Sequence, residues 1–555
     1  MTKKIMVFIP TTISSEIHTP VIQYMFQLAY DIEGKYPDKL EWLPAYIWQP
    51  NKTQIWQAFV DSKPDIVCLS MYLWSAEILH YLAKRIREES PETVILLGGP
   101  EVDWKDPTGF SNKYPYYDYI CYGDGEQTFI DLIDAIFDNK TTTLDLLNIK
   151  NLIFKDTKGK VHNTPHQLYK GKVYTHHSPW IHCKETFVRD CNEIKARTGN
   201  APIVAWESDR GCPYDCSFCD WESGLHHKVI AKKYDHHDEI ELFAEQSCKI
   251  SFNNANFGIY EKDLKSIEHI WKLQKAGRIP RATEPSWAKL HKDRVHAIYR
   301  MRGDIFGEIE CKVPLQSITP QVLENIDRPA IPWTEYKKML IDLKKDYTLK
   351  FLPVLMTGLP GETRESWDQM LIEFTDLAPL WSMNASPWHM LPTSPGADAE
   401  YIKKHKIKVT PTIFPMYDTS VRPDLDWTGY TDEMITERML HSIENDELPI
   451  SYRSDVIWEH YSAGLEENLY MQYAVLALTS LTRVRNETKF LKKNYNSLRP
   501  HMWDRAQRDG EKFRKLLDKY GVMPFYVLAD NKLYNSTTLV NTIKIRDFIN
   551  LSAKP

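Results

Sequence analysis

The sequence lacks three things that would set its class at once. It has no run of about 18 apolar residues, so no membrane-spanning helix is expected. It has no large excess of charge of one sign: 69 Lys and Arg face 75 Asp and Glu, a formal net charge of −6. That balance argues against a general electrostatic grip on nucleic acid or an anionic membrane. It has few cysteines, nine in 555 residues, which excludes a disulfide framework. No internal repeat or low-complexity tract is present, and hydrophobic residues at 43% fit an ordinary globular chain. The opening Met-Thr-Lys-Lys runs straight into a short apolar segment, without the core or cleavage site of a signal peptide. A reducing cytoplasm is the expected setting, where clustered cysteines more often bind metal.

What is present alternates between two periods. Residues 4–10, 41–48, 65–72, 93–97 and 117–122 read as strands. Helical spacing fills 19–36, 51–63 with Asn51 as cap, 75–90 with Ser75 as cap, and 128–137. This is the pattern of an α/β, doubly wound parallel sheet, whose ligands lie at the C-terminal strand ends. Gly98, Gly99, Gly123 and Gly125 fall there, where a missing Cβ lets a ligand approach the backbone. A hairpin over 151–162 opens a linker, and a second alternating region begins near 201. Its strands are expected at 203–208, 249–253, 305–313, 351–357 and 386–391. The tail reads as mostly helical. The domains are therefore expected at 1–145, 146–200 (linker with hairpin), 201–400 and 401–555.

The densest chemical signal is Cys212-x3-Cys216-x2-Cys219 on a loop after a strand and Gly211. Three thiolates grip three corners of a cubane iron–sulfur cluster and leave the fourth iron open to a small molecule. The alternative is a closed zinc knuckle with His226 or His227 as fourth ligand.

The motif, with Phe218 before the third cysteine, resembles that of the radical S-adenosylmethionine (SAM) superfamily. The resemblance implies a radical SAM partial (β/α)6 barrel over about 200–400. It implies a 4Fe-4S cluster on Cys212, Cys216 and Cys219, and reductive cleavage of SAM to a 5′-deoxyadenosyl radical. Further segments are similar in order: Asn253–Gly258, Val313–Ser317, the Gly358-Leu359-Pro360-Gly361-Glu362 turn, and Met390–Gly396. The SAM contacts they imply are Phe218, Asn254, Asn256, Gln316, Ser317, Gly358 and Pro360.

The front region resembles the cobalamin-binding domain that precedes the radical domain in one large subgroup. The matching pieces are Ser70-Met71-Tyr72-Leu73-Trp74, Gly98-Gly99-Pro100-Glu101 and Gly123-Asp124-Gly125-Glu126. The implied cobalamin contacts are Ser70, Tyr72, Trp74, Gly98, Gly99, Pro100, Gly123, Gly125 and Glu126. The usual Asp-x-His-x-x-Gly motif is degraded to Glu16-Ile17-His18-Thr19-Pro20-Val21, so cobalt is expected to have no histidine from the protein beneath it. Extra cysteines for a second cluster are missing: Cys68 and Cys121 read as packing residues, and Cys183 and Cys191 receive no role.

The implied enzyme transfers methyl to an unactivated carbon. The alternatives are a non-methylating rearrangement or cyclisation, and a non-catalytic metal-binding module. A small-molecule or peptide substrate and a flavodoxin- or ferredoxin-type electron donor are the expected partners. Glu308, Glu310 and Lys312 share a strand face, either toward ligand or in a salt-bridge network. His389 is left between two such roles. The tail aromatics Trp427, Trp458, Tyr461, Tyr470, Tyr473 and Trp503 are expected mainly to pack. Residues 403–408, rich in lysine, read as a solvated face.

Overall fold

The computed structural model describes residues 2–11, 16–48, 51–72, 74–168, 172–221, 228–280, 290–380, 383–391, 393–413, 433–434, 437, 456–461, 464–521 and 523–524. Leu73, His226, His227, Pro392 and Trp427 lie outside them, as do the side chains of His389, Trp458 and Tyr461.

The front unit is a seven-stranded sheet. Its strands are β1 (Lys3–Phe8), β2 (Leu40–Trp42), β3 (Ile66–Ser70), β4 (Val94–Gly98), β5 (Tyr119–Cys121), β6 (Leu152–Lys155) and β7 (Val161–Asn163), in the order β2-β1-β3-β4-β5-β6-β7. The first five are parallel; β6 and β7 run antiparallel. Alternation splits the apolar residues between two faces. Met6, Phe8, Val67, Leu69, Ile95 and Leu97 pack under α2 (Lys52–Ser62) and α3 (Ala76–Glu89). Ile5, Val7, Cys68, Leu96 and Cys121 pack under α1 (Val21–Glu33) and α5 (Gly125–Phe137). A strand buried on both sides reads as a continuous apolar run, which is how 65–72 reads in sequence.

Several boundaries differ from the sequence reading. Asn51 does cap α2, its side chain accepting from Gln54 N at 3.1 Å. Ser75 caps nothing; its Oγ accepts from Tyr72 N at 3.0 Å and stays in the preceding turn. The strand at 41–48 shortens to β2 plus a bridge at Tyr46. Helix α5 starts at Gly125, so Gly125 and Glu126 form its first turn. The hairpin at 151–162 is no free linker: its two strands close the edge of the front sheet. A short α4 (Pro107–Lys113) precedes β5, and between α5 and the second region lie α6 (Thr143–Leu146), α7 (Lys172–His176), α8 (Pro179–His182) and α9 (Lys184–Thr198).

In the second region β8 (Ile203–Trp206) pairs in parallel with β11 (Lys249–Phe252). The short β9 (Asp209–Arg210) and β10 (Ile230–Ala231) pair antiparallel around the cysteine loop. Strands β12 (Glu308–Gln316), β13 (Thr348–Thr357) and β14 (Asn384–Pro387) form a parallel three-stranded sheet. Helices α10 (His237–Glu245), α11 (Lys262–Lys275), α12 (Lys292–Phe306), α13 (Pro320–Asn325), α14 (Trp333–Asp346), α15 (Arg364–Phe374) and α16 (Ala399–His405) accompany them. The chain is α/β throughout, with a helical C-terminal part in α17 (Leu465–Val484) and α18 (Thr488–Tyr520).

The tail is not purely helical. β16 (Lys408–Ile413), β17 (Val456–Tyr461) and β18 (Met523–Pro524) join β15 (His389–Met390) in a four-stranded sheet. Leu469, Met471, Leu478, Tyr495 and Met502 of α17 and α18 share one apolar cluster with Trp206, Ile250, Cys311 and Trp367. The tail aromatics pack and bond: Tyr470 and Tyr495 donate to the buried Asp368 at 2.8 and 2.6 Å, and Tyr473 donates to Asp509 at 2.6 Å. Trp503 meets Tyr470 edge-on at 6.1 Å. Glu310 pairs with Arg302 at 2.9 Å and Glu308 with Lys350 at 2.8 Å, so the charged strand face is a salt-bridge network. Lys403, Lys404, Lys406 and Lys408 are exposed. No described helix is long and apolar enough to cross a membrane.

Candidate functional site

A cavity of about 510 Å³ lies at the C-terminal ends of β1, β3, β4 and β5, on the α1/α5 side. That is within the range of small-molecule and cofactor sites. Ser70, Tyr72, Gly98, Gly99, Pro100, Gly123, Gly125 and Glu126 line it. Trp74 does not, but stacks on Tyr72 with centroids 4.8 Å apart. Gly99 is required for two reasons. Its φ is +108°, and a Cβ there would lie 2.3 Å from the Met71 carbonyl oxygen. The other wall comes from the second region: Glu207, Arg210, Trp221 and Asn253. His18 is not in the wall; its backbone bridges to Ile203. Cys68 and Cys121 are buried strand residues, and both reach the cavity lining.

Arg210 is the seam between the two halves. Its guanidinium donates to Glu126 at 2.7 Å, Asp124 at 3.3 Å and Glu207 at 3.0 Å, and lies 4.2 Å over the Tyr174 ring. Burial works against its charge, but Glu126, Glu207 and Asp124 outweigh it and hold its pKa well above the usual value. Burial pushes the Glu126 carboxyl up, and Arg210 pulls it back. Nothing in the sequence signals this cluster, because its members come from three separate segments, around residues 124–126, 174 and 207–210.

The cysteine loop follows directly. Gly211 has φ +101°, and a Cβ would lie 2.0 Å from the Lys228 carbonyl oxygen. Cys212 and Cys216 are buried and Cys219 is half-buried. The loop is pinned through Ser217: its N donates to Ile326 O at 3.0 Å, its O accepts from Gly396 N at 2.7 Å, and its Oγ accepts from Tyr401 at 2.9 Å. Phe218 packs beside Val322, Met356, Leu359 and Trp388. Arg328, which the sequence reading missed, is buried close to the three thiols. Burial lowers its pKa, opposed by Cys216, Cys219 and Cys212.

The other motif residues divide into two groups. Asn256 Nδ2 donates to Cys212 Sγ at 3.2 Å, while its Oδ1 is buried with no hydrogen-bond partner among the described residues. Gln316, at φ +59°, leaves its buried Oε1 in the same state. These two amides are poised for a polar ligand, since buried polar groups are costly without partners. The rest hold the frame. Asn254 donates to Ser208 Oγ at 3.1 Å and Asp209 O at 3.3 Å, behind the cysteine loop. Ser317 donates to Glu362, which also accepts from Thr319 at 3.1 Å and from Ser366. Gly358, at φ +83°, opens the turn, and Pro360 O accepts from Asn325 at 2.9 Å. Three thiols on one pinned loop, a nearby guanidinium and the Asn256 amide on Cys212 Sγ fit an anionic iron–sulfur cluster, and the buried amide oxygens of Asn256 and Gln316 fit a polar small molecule.

The remaining cysteines lie apart. Cys191 Sγ is 3.7 Å from Cys248 Sγ, and Cys183 Sγ is 3.7 Å from Tyr24 O; all three cysteines are buried.

The family model of the B12 binding domain matches residues 46–133. The cobalamin-dependent radical SAM methyltransferase TokK of Streptomyces tokunonensis is 28% identical over 357 residues, 63% of this chain and 50% of that protein. The 2-(S-pantetheinyl)-carbapenam-3-carboxylate methyltransferase of Streptantibioticus cattleyicolor is 26% identical over 356 residues, with the same shares. The chain thus spans about half the length of these relatives. The structure of the cobalamin-dependent SAM radical enzyme OxsB, with aqua-cobalamin and SAM bound, has the same fold. Its TM-score is 0.52 at 12% identity, covering 99% of this chain and 79% of OxsB.

Proposed function

We propose, for a chain that belongs to the radical SAM enzymes carrying a B12-binding domain, that it transfers a methyl group from SAM to an unactivated carbon of a small molecule. The observation that carries this reading is the shared cavity: loops of the B12-binding sheet form one wall, and Glu207, Arg210 and Trp221, which flank the cysteine loop, form the other. We assign residues 1–145 to the corrin, 201–400 to the cluster and SAM, and 401–555 to closure over the substrate, with 146–200 between them.

The bound cofactors supply reductive cleavage of SAM and a carrier for the methyl group, the two steps that side chains cannot perform. The chain's own residues position and shield. Cys212, Cys216 and Cys219 hold the cluster, and Arg328 balances its negative charge. Asn256 and Gln316 offer their unpartnered oxygens to SAM. Phe218, Ser317, Gly358 and Pro360 shape the SAM pocket, and Asn254 keeps the cysteine loop against β11. Ser70, Tyr72, Gly98, Gly99, Pro100, Gly123, Gly125 and Glu126 cradle the corrin, with Trp74 backing Tyr72. A flavodoxin- or ferredoxin-type donor supplies the electrons.

The test is metal and corrin content after anaerobic reconstitution with iron, sulfide and hydroxocobalamin. About four irons and one cobalamin per chain are expected, followed by 5′-deoxyadenosine and S-adenosylhomocysteine in turnover. Iron without corrin would overturn the methyl-transfer reading. Both cofactors with 5′-deoxyadenosine but no S-adenosylhomocysteine would instead favour a non-methylating rearrangement or cyclisation.

A further inference from the structure

A second group of ligating side chains lies on the outer helices of the cysteine-bearing region. His237 and Glu241 are one turn apart on α10, so they share a face. His269 faces them from α11. One ligand atom from each lies within 4.8 Å of the other two. His269 Nε2 is 2.8 Å from Glu241 Oε1, and the two imidazole rings are 4.7 Å apart at 33°. The second carboxylate oxygen, Oε2, is held by Arg278 at 2.8 Å.

We propose that His237, Glu241 and His269 form a zinc site that staples α10 to α11. Two imidazoles and one carboxylate are a known three-ligand set for zinc, with the fourth position left to water. Tetrahedral bonds of about 2.0–2.1 Å place neighbouring ligand atoms about 3.3 Å apart, so Nε2 and Oε1 need to part by only about 0.5 Å. Arg278 leaves Oε1 available and fixes the carboxylate's orientation from behind, as outer-shell partners of metal ligands do. The two helices are already joined beside it, where Nδ1 of His236, the residue before α10, meets Oγ of Ser266, one turn from His269 on α11, at 3.1 Å. Glu239 on α10 in turn accepts from Trp206 Nε1 of β8 at 2.7 Å. The staple therefore braces the strand that leads into the cysteine loop.

The experiment uses cluster-reconstituted protein, in which the loop thiols are occupied, dialysed against micromolar zinc and then zinc-free buffer. One retained zinc per chain is expected in the wild type, with iron content unchanged. His269→Ala and the double variant His237→Ala/Glu241→Gln should each lose that zinc, keep the iron, and lose the zinc-dependent rise in Tm. Zinc retained equally by the variants, or none retained by the wild type, overturns the proposal. Failure to take up iron would count against the cluster reading instead. In that event the same zinc measurement, on Cys212→Ala/Cys216→Ala/Cys219→Ala protein, still decides this site.

Discussion

The two halves of the site, the glycine-lined end of the front sheet and the cysteine-bearing loop of the second region, are made by opposite means. The front sheet makes room by omission: Gly98, Gly99, Gly123 and Gly125 withhold side chains where strands end, and the surrounding surface is largely backbone and apolar. The second region builds by addition, placing three thiols, a guanidinium and the Asn256 amide together at one loop. The first design is shape with little chemistry, and the second is chemistry held by an exact frame of hydrogen bonds. Substitutions should therefore fail differently on the two sides.

The largest effect is expected on the side built by addition. Cys216→Ala should abolish 5′-deoxyadenosine formation and bring iron well below the about four per chain of the wild type, with far-UV circular dichroism unchanged. Next comes the seam. Arg210→Met leaves Glu126, Asp124 and Glu207 without their cation, and breaking such a buried pair costs about 3–5 kcal/mol. Urea unfolding measures it; a loss under 1 kcal/mol would show that the two walls are not held together through this residue.

A third effect depends on pH. Burial, with Asp263 adding to it, raises the Asp209 carboxyl to about 7. A raised folded-state pKa means that the protonated form favours the native state. Its contribution is complete below the unfolded value near 4 and is lost as pH rises through about 7. A shift of about three units corresponds to about 4 kcal/mol across that window. Unfolding free energies between pH 4 and 8 should decline accordingly, and Asp209→Asn should flatten the curve. The smallest effect falls on the side built by omission. Gly99→Ala forces a left-handed backbone and a 2.3 Å approach to Met71 O, at about 2–3 kcal/mol. It should weaken corrin retention, read from bound-corrin absorbance, while iron content stays the same.

The same contrast explains what could be read without a structure. Cysteines at fixed spacing are local, and glycines after apolar runs mark strand ends, so both halves of the site are visible as sequence features. Arg210 and Arg328 were not, because each acquires its meaning only when distant loops converge on it. Met25 and Phe26 line the cavity but look like ordinary helix residues in α1. The hairpin expected at 151–162 reads as a hairpin but not as a sheet edge, since pairing partners across more than 30 residues leave no periodic trace. Asn254 and Asn256 look alike in sequence; two residues apart on one turn, one supports the frame and the other faces the site.

Trp221, two residues after Cys219, has a consequence for how the protein is assembled. It is 43% exposed and forms part of the cavity wall opposite the front-sheet loops, and its backbone N donates to Cys219 Sγ at 3.4 Å. On the proposed reading, a single short segment thus touches both cofactor positions. If filling one position orders the wall of the other, thermodynamic reciprocity makes the assistance equal in either direction. Each cofactor should then bind more tightly when the other is already in place.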